Sequence, residues 1–465
     1  LYFALPGIHY DGHAFVEEAI ARGASVIVHQ RELAEYRRGV VYLNVKDSRF
    51  AMSPIAAAFY GFPSKTLSVV GVTGTEGKST TVYLIYQLLK LAGKSAGFAS
   101  TVQFDDGTGT QWNPEHQTTP EAVTVHRLLA RMRDQGAEYA VLESSSHGLS
   151  PKTNRLGDVR FAAGVMTNVT HEHLEFHGTW EQYREDKTNL FRALNRGPET
   201  AFGIVNKDDS SADYFASAAG RPVYTYSARG ADADLSVKNL RSGSGGNRYT
   251  LLIRETGETA EIEDRLPGAF NAGNVLASAL TASHLLGTQV RELLPLVPRL
   301  EPVRGRMTAV QRGQPFETLV DFAHTPSSFQ AVFPPIRERL DTGRIISVFG
   351  SAGDRDTAKR SVQGRIAAEW SDIVILTDED PRGEEPLAIL EEIARGIPGG
   401  KRGEDLFLIP NRPEAIRKAF ALARPGDTVL LLGKGHENSI IYANETKPYD
   451  EIREAEKALE ELGYP

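Results

Sequence analysis

Short apolar runs rich in β-branched residues alternate with amphipathic stretches along most of this 465-residue chain. Strand-like runs occur at 25–28, 40–45, 68–72, 137–142 and 160–166, and polar or glycine-rich loops follow several of them. Apolar residues at helical spacing fill many of the intervals between the runs. This alternation predicts an α/β protein whose strands form mostly parallel sheets.

Breaks in the pattern predict three domains. Residues 1–66 are typical of a small N-terminal α/β domain, and the opening residues 1–3 predict that its natural start is absent. Residues 67–300 form a larger domain, in which the polar, Gly/Ser-rich segment 221–264 predicts antiparallel hairpins. A boundary near Glu301–Pro302 precedes a third α/β domain over 301–465, with strands predicted at 318–321, 344–349, 372–376, 406–409 and 428–432.

A glycine-rich turn between a strand and a helix opens the second domain. The run is Ser68-Val-Val-Gly-Val-Thr-Gly-Thr-Glu-Gly-Lys-Ser-Thr-Thr81. Glycines let backbone N–H groups approach a phosphate, a lysine adds positive charge, and a serine hydroxyl suits a phosphate-bound Mg²⁺. Val72 stands where the strict nucleotide-loop spacing requires glycine, and Gly71 lies one residue early. We predict phosphate binding by this loop over the alternative of an ordinary glycine-rich turn, and hence a central P-loop-type domain.

Composition narrows the classes of partner. Hydrophobic residues make up 41% of the chain and charged residues 24%, which is typical of a soluble globular protein. A formal net charge of −8 disfavours a general nucleic-acid partner. No apolar run is long enough to span a membrane, and with no cysteine there is no disulfide or thiolate metal site. We expect a cytoplasmic protein without membrane insertion, and a monomer.

Glu143 ends a predicted strand close to the phosphate loop, where a carboxylate is a natural Mg²⁺ ligand. The alternative is a helix-capping acid. Three histidines lie within residues 171–177, but no HExxH pattern accompanies them. Clustered histidines in a loop are often ordinary polar residues, so a transition-metal enzyme is disfavoured.

Lys187 lies in the apolar stripe of a predicted helix that begins with the capping box Thr179-Trp-Glu-Gln182. A lysine at such a position extends to solvent, pairs, or loses its charge. The ordinary interpretation is that the side chain reaches solvent. The alternative is a neutral amine that adds CO₂, giving a carbamate that would hold Mg²⁺.

The predicted strands of the third domain end in polar loops, so one edge of its sheet carries many charged groups. These loops are Asp321-Phe-Ala-His324, Gly350-Ser-Ala-Gly-Asp354, Asp378-Glu-Asp-Pro-Arg382 and Gly433-Lys-Gly-His-Glu437. Ligands of open α/β sheets collect at such strand ends.

These motifs together resemble the ATP-dependent Mur ligases over nearly the whole chain. The resemblance rests on 73–80, 118–120, 143–148, 167–173, the Lys187 helix, 270–274, 304–307, 321–326, 353–356 and 433–437. Within this family the chain is most similar to members that add the third residue of the peptidoglycan stem peptide. The resemblance implies that ATP phosphorylates the terminal carboxylate of UDP-MurNAc-L-Ala-D-Glu, and that an amino acid attacks the acyl phosphate. It also implies a Rossmann-like C-terminal domain and a uridine-binding N-terminal domain.

The resemblance also implies site residues. Those expected to hold ATP are Gly74, Thr75, Gly77, Lys78, Ser79, Thr80, Asn271, Asn274, Arg306, Asp321 and His324. Those expected to hold the UDP-muramoyl donor are Thr118, Thr119, Ser145 and Arg155, and the other expected substrate-binding residues are Asp380, Arg382, Gly433 and Glu437. Mg²⁺ is expected at Ser79, Glu143, His173 and a carbamylated Lys187, and the catalytic set is Lys78, Glu143, His173 and Lys187.

Three departures from the family pattern concern detail. Glu76 stands where Asn is usual, Glu172 and Glu175 stand where Asp is usual, and the segment between His147 and Arg155 is longer than usual. The acceptor motif is Glu379-Asp-Pro-Arg382, whereas diaminopimelate-adding members carry Asp-Asn-Pro-Arg. An extra anion at Asp380 favours a side-chain ammonium and predicts lysine or ornithine, while the retained Arg382 is compatible with meso-diaminopimelate.

Two other functions fit parts of the sequence. A folylpolyglutamate synthetase would share the phosphate loop and the domain plan, but it lacks the Ser-Ser-His-Gly and acidic Pro-Arg motifs. A nucleotide-dependent switch would need no second substrate pocket, which the crowded loop edge of the third domain predicts.

Overall fold

The computed structural model describes residues 1–7, 10–113, 117–170, 174–243, 245–340 and 342–465, without the side chains of 174 and 175. The chain forms two compact units, one of residues 1–225 with 280–287 and one of 226–279 with 288–465. The domain boundaries expected near 66 and 300 stay predictions. Within the described residues no helix is both long and apolar enough to cross a bilayer. The expected monomeric state and cytoplasmic location also stay predictions.

The first unit begins with a three-stranded parallel sheet of Tyr2–Phe3, Val26–His29 and Val41–Asn44. Short helical turns at Gly12–Phe15, Val16–Ala21 and Pro63–Lys65 accompany it. The helix Ser48–Phe59 follows, and the Asp47 carboxylate caps it by accepting from the backbone N–H groups of Arg49 and Phe50. Both predicted strands of this region and its predicted helix start are therefore confirmed.

A mostly parallel sheet forms the centre of the first unit and confirms the predicted fold class. Its parallel strands lie in the order Phe202–Asn206, Phe161–Met166, Ser68–Thr73, Tyr139–Glu143 and Ala96–Ala99, and the antiparallel strands Gln103–Asp105 and Thr110–Trp112 follow. The register pairs Val72 with Glu143 and Thr73 with Met166. The phosphate loop, Glu143 and Thr167 therefore emerge at the same edge of the sheet.

Helices cover this sheet. They span Lys78–Leu91, Ala122–Asp134, Ser146–Leu149, Leu174–His177, Trp180–Ala193, Leu194–Arg196 and Ala212–Ala218. Leu190 and Phe161 are fully buried between helix Trp180–Ala193 and the sheet. A Cβ at Gly71 would lie 2.5 Å from Leu190 Cδ1 and 2.9 Å from Phe161 Cε1. Gly71 thus serves the packing of this helix on the strand, which explains a glycine one residue before the position that the loop spacing requires.

In the second unit, the strands Leu235–Gly243, Gly246–Ile253 and Thr259–Glu263 form the antiparallel hairpins predicted for 221–264. The strand Val223–Ser227 and the helix Phe270–Leu286 contain the points at which the chain passes from one unit to the other. The short helices Val290–Leu293 and Leu294–Arg299 follow.

A six-stranded sheet forms the rest of the second unit, in the order Thr308–Ala309, Glu317–Asp321, Thr428–Leu432, Ile345–Phe349, Ile373–Leu376 and Leu406–Leu408. Only the first pair is antiparallel. Helices Pro326–Glu338, Ala358–Trp370, Pro386–Ala394, Arg412–Leu422 and Glu451–Glu461 pack on it, and Ser439–Ile441 pairs with Thr446–Pro448. The register pairs Asp321 with Leu432, so the loops after both strands lie at one edge, as predicted.

His126 is fully buried in helix Ala122–Asp134. Its Nε2 lies 3.5 Å from Ser53 Oγ, and Nδ1 has no hydrogen-bond partner among the described residues. Burial lowers the pKa of this imidazole from 6.5 to about 4, and the Asp158 charge opposes the shift only in part. The folded state therefore holds a neutral ring that the unfolded chain protonates more readily.

Because the unfolded chain binds a proton at His126 more readily than the folded chain, acid lowers the free energy of unfolding. The stability that the neutral ring contributes is complete above pH 6.5 and is lost as the pH falls toward 4. Between pH 7 and pH 5 we expect His126 to reduce the free energy of unfolding by about 2 kcal/mol. Urea unfolding of wild type and His126→Leu at both pH values measures the difference. Equal pH dependence in the two proteins would contradict the assignment.

Candidate functional site

The backbone conformation of the phosphate loop requires glycine at two positions. Gly74 has φ +151° and Gly77 has φ +82°, and Gly77 is the N-cap of helix Lys78–Leu91. A Cβ at Gly74 would lie 1.8 Å from Thr167 Oγ1. The Thr167 hydroxyl also donates to the Glu76 carbonyl at 2.6 Å, and Asn168 Oδ1 accepts from the Glu76 N–H at 2.9 Å. The end of the neighbouring strand therefore holds the loop around its glycines.

Lys78 and Thr75 lie within this loop. Lys78 Nζ donates to the Thr75 carbonyl at 2.7 Å. Thr75 Oγ1 lies 3.2 Å from Tyr183 Oη, which ties the loop to helix Trp180–Ala193. Thr80 is buried in the first turn of helix Lys78–Leu91. Backbone N–H groups at a helix start, with a lysine beside them, form a favourable phosphate site.

Ser79 and Glu143 meet, as their strand-end positions predict. Ser79 Oγ donates to Glu143 Oε2 at 2.8 Å, and the same oxygen accepts from Thr101 N at 2.8 Å and Thr101 Oγ1 at 3.1 Å. Glu143 is 3% exposed. Oxygen donors of this kind suit Mg²⁺, which takes one or two protein ligands and completes its shell with phosphate and water.

The described residues contain no group of three or more His, Cys, Asp or Glu side chains that could hold a metal ion. The predicted Mg²⁺ ligand His173 and its neighbours 171 and 172 lie outside the described part of the chain. The oxygen pair of Ser79 and Glu143 is therefore the part of the predicted Mg²⁺ site for which the structure gives geometry.

Lys187 points from the buried face of helix Trp180–Ala193 to the phosphate loop. Its Nζ donates to the Gly74 carbonyl at 2.5 Å and lies 4.4 Å from the centre of the Tyr183 ring. The residue is 2% exposed. The first of the two sequence interpretations, a lysine reaching bulk solvent, does not describe this side chain.

A cavity of about 190 Å³ lies beside the loop. Its walls are Lys78, Gln117, Thr118, Thr119, Ser145, Ser146, His147, Arg155, Tyr183 and Lys187. All predicted donor-substrate residues of the first unit therefore line one space. The cationic side chains of Lys78, Arg155 and Lys187 make this space suitable for an anionic ligand.

Hydrogen bonds fix the polar wall of this cavity. Thr119 Oγ1 donates to the Glu143 carbonyl at 2.8 Å and accepts from Ser145 N at 2.9 Å and Ser145 Oγ at 3.0 Å. Arg155 Nη1 donates to the Thr119 carbonyl at 2.7 Å, and its Nη2 donates to Glu121 Oε1 at 2.8 Å. Arg155 thus reaches the wall across the long segment that separates it from His147.

The second unit holds the other predicted ATP-contacting residues. Asp321 Oδ2 accepts from Met307 N at 2.7 Å and Oδ1 from Ala323 N at 2.7 Å. Burial raises the pKa of Asp321, and the Arg306 charge opposes this shift. Arg306 packs over the Phe322 ring, and His324 Nδ1 lies 2.9 Å from the Phe322 carbonyl. These three predicted residues therefore cluster around one strand end.

Asn271 and Asn274 lie together in helix Phe270–Leu286. Asn274 Nδ2 donates to Asn271 Oδ1 at 2.9 Å, and Asn271 Nδ2 donates to the Pro267 carbonyl at 2.7 Å. Both are more than nine-tenths buried. These contacts link them to each other and to Pro267, not to the Asp321 cluster.

Lys434 joins the predicted acceptor residues in the loop that follows the carboxyl end of the Thr428–Leu432 strand. Its Nζ, fully buried, donates to Asp380 Oδ1 at 2.9 Å and to Glu437 Oε2 at 2.5 Å. Arg382 Nη2 lies 3.9 Å from Asp380 Oδ2. A Cβ at Gly433, which has φ +100°, would lie 2.9 Å from Glu379 Oε2. Sequence reasoning named four of these positions but assigned no role to Lys434.

Carboxylates outnumber cations in this cluster. Glu379 is 6% exposed and Asp378 is 4% exposed, and each has one buried oxygen without a partner among the described residues. Burial raises the pKa of Asp378 to about 6, despite a hydrogen bond from Tyr442 Oη at 3.0 Å. Burial also raises the pKa of Glu437, against the effect of Lys434. Such a site favours a cationic group.

Comparisons with known proteins identify the family of this chain. The family described as "Mur ligase middle domain" matches residues 72–282, and "Mur ligase, glutamate ligase domain" matches residues 305–435. The chain belongs to the Mur ligase family, a family of ATP-dependent ligases, and its expected identity as an enzyme is confirmed.

Individual relatives show which members of the family the chain resembles. The chain is 52% identical to UDP-N-acetylmuramyl-tripeptide synthetase of Treponema denticola, over 98% of this chain and 88% of that protein. It is 37% identical to UDP-N-acetylmuramoyl-L-alanyl-D-glutamate–2,6-diaminopimelate ligase of Geobacillus kaustophilus, over 100% of this chain and 92% of that protein. The solved structure of a protein of the same name, a diaminopimelate ligase, superimposes on this chain with a TM-score of 0.67. The two chains are 28% identical, over 99% of this chain and 92% of the other.

Gly74→Ala should remove ATP turnover, because the added Cβ would collide with Thr167 Oγ1 and move the loop backbone. We expect kcat/KM for ATP to fall about 100-fold or more. Gly93→Ala is the matched control, since Gly93 also has positive φ but a Cβ there meets nothing within 4 Å. Phosphate release and thermal unfolding of both variants separate loss of the site from loss of the fold. Similar ATP kinetics in the two variants would contradict the loop assignment.

Proposed function

We propose that this enzyme adds a diamino acid to UDP-MurNAc-L-Ala-D-Glu with cleavage of ATP to ADP and phosphate, as a step of peptidoglycan synthesis. The observation that carries the proposal is the cavity of the first unit. It joins the phosphate-loop residue Lys78 to Ser145, Arg155 and Lys187 in one cationic space. The 52% identity to a protein named tripeptide synthetase supports the same conclusion.

The chemistry needs two displacements. A carboxylate oxygen of the donor attacks the γ-phosphorus of ATP, and the bond to ADP breaks. The acceptor amine then attacks the acyl carbon, loses a proton, and phosphate leaves with the electron pair of the broken C–O bond. Lys78 and the N–H groups of the loop hold the phosphates during the first step, so positioning and charge stabilisation carry the catalysis.

Ser79 and Glu143 would hold Mg²⁺, which supplies positive charge at the phosphate oxygens when bound. Their buried oxygens lie 2.8 Å apart and face the same edge as the loop. The predicted third protein ligand is His173.

Lys187 is proposed as a carbamate. The neutral amine adds CO₂ through a new N–C bond and releases one proton to solvent, and the remaining N–H can still donate to the Gly74 carbonyl, which now lies 2.5 Å from Nζ. The new carboxylate would extend into the cavity that Lys187 lines. A cation would thereby become an anionic oxygen ligand in the cavity that Ser145 also lines.

For the acceptor we propose lysine or ornithine over meso-diaminopimelate. Lys434 and Arg382 offset the charges of Asp380 and Glu437, but Asp378 and Glu379 each retain a buried oxygen without a described partner. A side-chain ammonium would satisfy them, whereas a second carboxylate would be repelled. The relative named as a diaminopimelate ligase keeps meso-diaminopimelate as the competing acceptor.

A folate-type ligase is the second candidate within the same chemistry. The switch alternative is disfavoured because the family consists of ligases.

The test measures phosphate release with ATP, Mg²⁺ and the UDP-MurNAc dipeptide. Lysine, ornithine, meso-diaminopimelate and D-glutamate are supplied in separate reactions, and phosphate release should require lysine or ornithine. Product mass identifies the tripeptide. Turnover without the muramoyl donor would contradict the proposal.

Asp380→Asn should weaken the preference for lysine or ornithine over meso-diaminopimelate. The substitution removes one anion while Glu437 still engages Lys434, so the ratio of the two kcat/KM values should fall about tenfold. Asp356→Asn is a charge-matched control on an exposed position of the same unit. An unchanged ratio in Asp380→Asn would mean that this carboxylate does not set the acceptor.

A further inference from the structure

His177 forms a hydrogen-bonded chain that the sequence patterns did not predict. Its Nδ1 lies 2.8 Å from Asp186 Oδ2, and its Nε2 lies 3.0 Å from Ser146 Oγ. A carboxylate only accepts, so Nδ1 carries a hydrogen and donates to Asp186, while Nε2 pairs with the Ser146 hydroxyl. Each polar atom of the ring then has a matched partner.

The chain is sealed from solvent. His177 is 4% exposed, Asp186 1% and Ser146 2%. Gln182 Nε2 donates to the other Asp186 oxygen at 3.0 Å, so both oxygens of this buried carboxylate are hydrogen-bonded. Loss of the imidazole would leave a buried charge and a buried hydroxyl without their partner, which is costly.

The chain connects two walls of the cavity beside the phosphate loop. Ser146 lines this cavity beside Ser145, and Asp186 directly precedes Lys187, which lines the same cavity. Asn189 Nδ2 donates to the Leu149 carbonyl at 3.1 Å, which adds a second link between helices Ser146–Leu149 and Trp180–Ala193. Because Lys187 Nζ also contacts the Gly74 carbonyl, a shift of helix Trp180–Ala193 would move this amine relative to the loop.

We infer that His177 is a positioning residue of the ligase reaction, which holds the Lys187 helix and the Ser145 wall at a fixed separation through Asp186 and Ser146. This inference rests on the proposed function, because it assumes that Lys187 and Ser145 act in that reaction. His177 acts through Asp186 and Ser146 and does not itself contact substrate.

The test compares His177→Leu with the matched control His126→Leu. Both remove a buried imidazole from the first unit, but His177 contacts Ser146, which lines the cavity, whereas His126 contacts Ser53, which does not. In the tripeptide-forming assay, His177→Leu should lower kcat about 100-fold with KM for ATP little changed, because misplacement acts on the reacting geometry. His126→Leu should keep the wild-type kcat at a temperature where both variants are folded by circular dichroism.

Two further measurements distinguish positioning from general destabilisation. The bicarbonate concentration for half-maximal activity should rise in His177→Leu, because a displaced Lys187 forms its carbamate less readily, and should stay unchanged in His126→Leu. Ser146→Ala should lower kcat less than His177→Leu does. The double variant should have the same kcat as His177→Leu alone, because both residues act through one network.

The outcomes separate the two proposals. If wild type forms no tripeptide with any acceptor, the proposed function fails whatever the variants do. If wild type is active and His177→Leu matches His126→Leu in kcat and in bicarbonate dependence, the positioning role is overturned. Should His177→Leu not fold, the single hydroxyl deletion Ser146→Ala decides, and wild-type kcat in that variant overturns the inference.

Discussion

The parallel pairing of Ser68–Thr73 with its two neighbouring strands is the constraint on which the site of the first unit depends. The register brings Val72 beside Glu143 and Thr73 beside Met166. The phosphate loop, the carboxylate of Glu143 and the Thr167–Asn168 segment consequently share one edge, and each hydrogen-bonds to another. A slip of one residue would turn Glu143 to the other face and break the Ser79 contact.

Charge burial is the corresponding constraint in the second unit. Asp380 and Glu437 share the fully buried Lys434, and Arg412 is bound by Glu451 nearby through Oε1 at 2.5 Å and Oε2 at 2.8 Å. Carboxylates in such surroundings are retained only where donors satisfy them. Asp378 and Glu379 are satisfied only in part by described residues, which supports the proposal of a cationic acceptor.

Much of the fold and part of the site could be predicted from local pattern. Strand ends identified Glu143 and Asp321, and a lysine in an apolar helical stripe identified Lys187. The chain of Ser146, His177 and Asp186 could not be found in this way, because its partners lie 31 and 9 residues apart and no periodicity links them. Asp380 was predicted as an anion with no partner considered, but Lys434, 54 residues away, neutralises part of its charge. Pairings between distant loops depend on how the strands are ordered, which the sequence alone does not specify.

The sharing of Lys434 between two acids has an evolutionary consequence. Replacing the lysine alone leaves two carboxylates without the cation they share, and replacing both acids leaves a buried ammonium, so either route crosses a destabilised intermediate. Positions 380, 434 and 437 are therefore coupled, and the effect of a substitution at one depends on the residues at the other two. Substitution at these positions is constrained to steps that keep the lysine paired, which leaves one acid at a time free to vary.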